Sequence, residues 1–246
     1  LTGELNLGGC TSLTSIGDGA FRNCRGLTSI SLPANLTSIG SNAFYSCSKL
    51  TSISFPSSLT SIGSLAFSGC SGLTGELNLG GCTSLTSIGN SAFSSCSGLT
   101  SISLPSSLTS IGSSAFDGCS GLTGELNLGG CTSLTSIGDF AFRSCSGLTS
   151  IDLSGCTNLT SIERYAFQSC SGLTSITLPA SLTSIGSSAF RNCSRLTSVT
   201  FKNTTGWYVT EDEDATSGTN VSVTDPSLNA SNLTGQYRNY YWKRSV

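Results

Sequence analysis

Leu50, Ile53, Phe55, Leu59, Ile62, Ala66, Phe67 and Cys70 are the regular apolar positions of a 23-residue stretch that is otherwise almost entirely Ser, Thr, Gly and Pro. Nearly the same pattern opens at Leu1, Leu27, Leu50, Leu73, Leu99, Leu122, Leu148 and Leu173, with a partial ninth unit from Leu196. The intervals are 26, 23, 23, 26, 23, 26, 25 and 23 residues. A period of this size marks a solenoid, in which each unit forms one coil and buries its apolar side against the next. Ile53-x-Phe55 alternates as a short strand does. Pro56 ends it, because Pro cannot donate to a ladder and favours a turn. Leu59-Thr-Ser-Ile62 predicts a second extended piece closed by Gly63. Ala66, Phe67 and Cys70 predict one helical turn that faces inward.

The 26-residue units carry Glu-Leu-Asn-Leu-Gly-Gly-Cys-Thr-Ser where the short ones carry Ile-Ser-Leu-Pro-Ser-Ser, as in Glu76–Ser84 against Ile102–Ser107. The extra residues are expected at one corner, bulging outward without disturbing the stacked sides. Eight stacked coils make a rod on the order of 40 Å long. The recurring Leu, Ile and Phe argue against reading the Ser/Thr richness as disorder.

Leu148-Thr-Ser-Ile-Asp-Leu-Ser-Gly-Cys-Thr-Asn-Leu159 resembles the leucine-rich-repeat consensus position by position. Cys47 to Phe67 is similar to the 23-residue subtype of BspA-like bacterial surface proteins, the Treponema-type repeat, and the likeness runs over residues 1–201. It implies a leucine-rich-repeat right-handed solenoid of eight coils, mainly parallel strands with short helical turns, on the outside of a bacterium and often adhesive. The residues alone leave a β-helix open, because Leu-Thr-Ser-Ile occurs twice per coil. Tyr237-Arg-Asn-Tyr-Tyr-Trp-Lys-Arg244 also resembles endings of such surface proteins. The expected organisation is therefore a solenoid over 1–201 and a non-repeat capping segment over 202–246.

Composition narrows the chemistry. A net charge of −2 argues against a nucleic-acid footprint. No apolar run reaches the ~18 residues of a membrane span. The chain has no Met and opens inside a repeat, as expected of a processed fragment. It has no His, so Ser-His and Cys-His nucleophiles are excluded, and no phosphate-cradling Gly-rich loop occurs. An enzyme is not expected, nor is a cofactor. Of twelve cysteines, eight recur at one place in the coil and four, Cys10, Cys82, Cys131 and Cys156, belong to the longer units. The repeat explains these positions as a ladder of free buried thiols, and without Cys-x-x-Cys or His no metal site is expected.

Two candidate binding surfaces follow. The residues flanking the inward Ile or Leu of the first strand project outward as a polar, mildly acidic strip, with Glu76, Asn78, Glu125, Asn127 and Asp152 its most distinctive members. It suits hydrogen bonding to a glycan or a host matrix protein, with Ca²⁺ a further option. The second is the residue before each Ala-Phe, which is Phe140 and Tyr165 in consecutive coils, near Arg143, Arg164 and Arg191. Aromatics beside arginines have the composition of a protein-binding hot spot. Trp207 and Tyr208 are expected to cover the last coil, with Glu211–Asp214 a solvated acidic turn, Val221-Ser-Val223 a short strand, Tyr240–Trp242 folded back, and Lys243 and Arg244 trailing into solvent. The first coil has no such cover, which leaves end-to-end self-association open. The functional expectation is a non-catalytic extracellular adhesion module whose partner is a host protein, a glycan or another surface protein. The alternative is a passive spacer in a larger protein.

Overall fold

The computed structural model describes residues 1–245. Each coil has three sides. The first is a strand, beginning with Thr2–Asn6, Gly26–Ser31 and Ser52–Ile53 and ending with Ser198–Phe201 of the ninth, partial unit. The second is a two-residue strand, Ser-Ile in every coil from Ser15–Ile16 to Ser184–Ile185, and these join in one uninterrupted parallel ladder. In most coils the Thr before this Ser braces the ladder by donating its hydroxyl to the equivalent Thr carbonyl one coil back, as Thr60 does to Thr37 and Thr109 to Thr86, both at 2.8 Å.

The third side is not the expected helical turn. The Ala66 amide donates to Gly63 and that of Cys70 to Phe67, whereas the amides of Leu65, Phe67 and Gly69 donate across to Asn90, Ala92 and Ser94 of the next coil. Local turns and inter-coil bonds thus alternate, and the backbone is satisfied without helix or sheet. The alternation needs two left-handed residues per coil, here Leu65 at φ 58° and Gly69 at φ 73°. Most coils meet this with Gly, Asn or Ser; Asn and Gly are the residues that enter this region most readily.

Phe21, Phe44, Phe67, Phe93, Phe116, Phe142, Phe167 and Phe190 stack along the axis with centroids 5.0–5.5 Å apart. Beside them the repeated thiols each donate to the Phe carbonyl one coil back, from Cys47 to Phe21 at 3.2 Å through Cys193 to Phe167 at 3.1 Å. All twelve cysteines are free. Burial pushes the thiols of Cys119, Cys156 and Cys193 up to about 12 and that of Cys131 up to about 11. An unfolded thiol ionises near ~8.5, so the fold favours the protonated form and gains stability from it below that pH. This stability is lost as pH rises from about 9 towards 12. Urea midpoints are therefore expected to hold between about pH 6 and 8 and fall steeply above 9. Cys119→Ala should show a shallower fall; an identical slope would remove the thiol ladder from the cause.

The longer units depart from the single-corner expectation. From the first Leu of the unit to the inward strand residue, Leu73 to Leu77 takes one residue more than Leu50 to Ile53, and the corner that follows takes the other two. The additional strand residue is a glycine with positive φ, at Gly3, Gly75 and Gly124 (82°, 75° and 72°). Pairing with the following coil absorbs it as a register shift, as where Gly124 pairs with Leu148 but Glu125 with Ser150. Pairing with a preceding short coil does not. The first side therefore splits into sheets of three, two and four strands, with breaks after Ser52–Ile53 and after Leu99–Ser103.

The C-terminal segment closes the last coil. Strand Tyr241–Arg244 adds antiparallel to Ser184–Ile185 and is followed outward by Trp207–Thr210 and Thr219–Asn220. Lys243 and Arg244 thus belong to the sheet rather than trailing away, and Arg244 donates to the Ala180 carbonyl at 2.8 Å. The expected strand at Val221–Val223 is displaced to Thr219–Asn220, leaving Val223 buried under the cap. Trp207, Tyr208 and Trp242 are buried, as their composition implied. A helix, Pro226–Thr234, lies on the last strand, where buried Asn229 donates to the carbonyls of Val199 and Val223, both at 2.9 Å.

Candidate interaction surface

The outward strip exists, but its members differ in freedom. Asn6, Asn78 and Asn127 accept the amides of Gly8, Gly80 and Gly129 at 2.9, 3.1 and 2.9 Å, and Asp152 accepts that of Ser154 at 2.8 Å. These side chains build the corner after the strand, an Asx turn, and the amide nitrogens of the asparagines and the second carboxylate oxygen of Asp152 remain for a ligand. Glu76 and Glu125 are exposed and uncommitted among the described residues. No group of three or more metal-capable side chains occurs among the described residues.

The sheet breaks shape this face more than the charges do. At the first inward strand position, Leu77, Leu126, Ile151 and Ile176 are each 2% exposed, because the neighbouring coil lies flush on them. Past the first coil, Ile53 and Ile102 are half-buried, and both precede a break, as do half-buried Phe55 and Leu104. Thr74 still donates to Thr51 and Thr123 to Thr100 at 3.1 Å, and beyond those bonds the strands part. The first break opens a cavity of about 330 Å³ lined by Ile53, Ser54, Phe55, Glu76, Asn78 and Cys82. It is a slot with an apolar floor and hydrogen-bonding walls.

The aromatic pair is brought together as expected: the Phe140 and Tyr165 rings lie 4.8 Å apart and 4° from parallel. Both occupy the left-handed position, at φ 57° and 58°, where a bulky side chain is strained. Their surroundings were not legible. Arg143 lies over the Phe140 ring at 4.8 Å and makes a two-pronged pair with Asp117, Nε to Oδ1 at 2.8 Å. Arg164 pairs with Glu213 of the C-terminal acidic turn and lies over the Tyr241 ring at 5.5 Å. That turn is thus docked rather than merely solvated, with Glu211 also accepting from the Tyr240 hydroxyl at 2.8 Å. The carboxylate partners raise both arginines above their ordinary pKa, Asp117 for Arg143 and Glu213 for Arg164. The Phe140 ring is thus covered by Tyr165 and Arg143. Arg191 stands exposed on the last coil. Phe140→Asn should leave stability within about 1 kcal/mol, since relief of the left-handed strain offsets a stacking contact of about 0.5–1.5 kcal/mol. Thermal midpoints test this, and a large loss would make the ring part of the core.

These repeats match the family model for the BspA type leucine rich repeat region over residues 7–123 and 125–212. The chain belongs to that family. Its fold is similar to the crystal structure of the T. pallidum leucine rich repeat protein, with 27% identity and a TM-score of 0.50 over 74% of this chain and 71% of that one. A leucine rich cell surface protein from Faecalibacterium prausnitzii shares 22% identity, with a TM-score of 0.42, over 83% of this chain and 80% of that chain. A leucine-rich repeat protein from Bacteroides ovatus shares 25%, with a TM-score of 0.29, over 76% and 82%. No curated protein matches the chain in sequence. No helix among the described residues is long and apolar enough to cross a membrane.

Proposed function

We propose that this chain is a non-catalytic binding module of a bacterial cell-surface protein, holding a host protein or glycan against the interrupted strand face. The observation that carries the reading is the half-exposure of Ile53 and Ile102 beside Glu76, Asn78, Glu125 and Asn127. Membership of the BspA-type family supports an interaction role and a surface setting. Phe140, Tyr165, Arg143 and Arg164 form a second contact area at the capped end, where the arginines already have acidic partners.

Binding of the chain to an array of glycans and matrix proteins, with and without Ca²⁺, tests the reading. A specific partner is expected whose binding falls on Ser54→Asp, which places a charge at the mouth of the first slot. A partner lost instead on the double substitution Phe140→Ser/Tyr165→Ser would move the site to the aromatic column. Silence across the array would favour the spacer.

A further inference from the structure

We infer that the eighth coil carries a site for a tetrahedral oxyanion, the sulfate or phosphate group of a partner, where its third side runs out of inter-coil acceptors. The site is separate from the strand face and from the aromatic column. In every earlier coil the third side sends three amides across to carbonyls of the next. Tyr165, Phe167 and Ser169 thus donate to Ser187, Ala189 and Arg191 at 3.2, 2.9 and 2.8 Å. The same backbone recurs one coil on, with Ser188 and Asn192 at φ 60° and 62° against 58° and 60° for Tyr165 and Ser169. The amides of Ser188, Phe190 and Asn192 therefore all face the cap.

The cap meets only the first of them. Ser188 donates to the Arg238 carbonyl at 2.9 Å, while the Phe190 and Asn192 amides have no acceptor among the described residues. Phe190 is 1% exposed, and a buried amide without an acceptor is costly and rare. Backbone amides that face one way around a left-handed residue form a concavity that binds anions. An oxyanion placed there takes over the acceptor role that the next coil plays everywhere else.

The space and the charge agree with this. A cleft of about 250 Å³ opens at the same place, lined by Asn192, Cys193 and Ser194 of the coil and by Thr234 and Arg238 of the cap. Arg238 enters no ion pair among the described residues, so its guanidinium is available for charge-assisted bonds to an anion. Arg191 and Arg195 flank Asn192 in the chain, and both are exposed. No carboxylate lines the cleft. The sequence has no Asp or Glu between Glu163 and Glu211, and none after Asp225. Donors thus stand on both walls, backbone on the coil and guanidinium on the cap. A tetrahedral anion, with oxygens on every side, meets both walls better than a planar carboxylate.

The test titrates the whole chain, labelled with ¹⁵N, with inorganic sulfate, inorganic phosphate and acetate at constant ionic strength. Sulfate or phosphate is expected to shift the Phe190 and Asn192 amide resonances to saturation, and the tighter of the two names the group on the partner. The amides of Phe167 and Ser169, which already have acceptors, should stay fixed. Arg238→Gln keeps the main-chain carbonyl that holds Ser188 and should weaken binding at least about fivefold. Asn192→Gly keeps the left-handed turn and its amide, so it should bind as the parent does. Shifts that do not saturate, acetate binding as tightly as either tetrahedral anion, or an affinity unmoved by Arg238→Gln would overturn the site. Loss of binding in Asn192→Gly would place the donor on the side chain and overturn the backbone assignment.

Discussion

Phe116→Ala is expected to lower the unfolding free energy by about 3–5 kcal/mol, at the upper end for core aromatics. The ring is fully buried and stacks on both sides, 5.5 Å from Phe93 and 5.2 Å from Phe142. Its loss opens a cavity that the neighbours have no freedom to fill. Their backbones are held by the Phe93-to-Ala115 and Phe116-to-Ala141 amide bonds, both at 2.8 Å, and by the Cys145 thiol on the Phe116 carbonyl. In a solenoid each coil contacts only its neighbours, so a central break also uncouples the two halves. Urea unfolding followed by circular dichroism should show a lower midpoint and a broadened transition. Phe21→Ala is the control: that ring is half-buried and stacks only on Phe44, and about half the loss is expected there. Equal losses would mean that the ring stack is not a continuous core.

The difference between what the sequence announces and what it hides follows the range of the interaction responsible. The coil period, the inward residues from Leu59 to Cys70 and the buried Trp207 and Tyr208 are legible because each depends on local pattern and hydrophobic burial. The outward Glu76, Asn78, Glu125 and Asn127 were placed on the strand face by alternation alone. The breaks beside them were not, because ladder pairing depends on the registers of two coils. The signal that was available is the one-residue difference between Leu73-to-Leu77 and Leu50-to-Ile53. A left-handed backbone was likewise encoded by the Gly, Asn and Ser that precede most of the Ala-Phe pairs, and by the contrast of Leu65, Phe140 and Tyr165 with them. The helix Pro226–Thr234 carried a start signal, since Asp225 caps it and Pro226 opens it. Its apolar periodicity was too weak to read, as only Leu228, Ala230 and Leu233 stand among polar residues. The partners of Arg143 and Arg164, Asp117 and Glu213, are 26 and 49 residues away in the chain. Nothing local fixes such a pairing.

Trp242→Ala is expected to cost about 3–5 kcal/mol as well, but with a different spatial signature. Trp242 is 1% exposed and lies 6.2 Å from Phe201 and 6.1 Å from Tyr237. Its strand is the middle member between Ser184–Ile185 and Trp207–Thr210, so removing the indole loosens both pairings at once. Terminal caps protect the last open core of a solenoid, and the damage should therefore travel inward from that end. Hydrogen exchange is expected to quicken first at Ile185, Val199 and Val209, while Ile39 and Ile62 keep their protection. Loosening the cap also releases Glu213 and Tyr241 from Arg164, which frees that arginine beside the Phe140–Tyr165 column. A partner held at the aromatic column would then change its affinity in Trp242→Ala, whereas one held on the strand face beside Ile53 and Ile102 would not. Uniform exchange along the whole rod would mean that the coils unfold as one unit and that the capped end has no separate stability to lose.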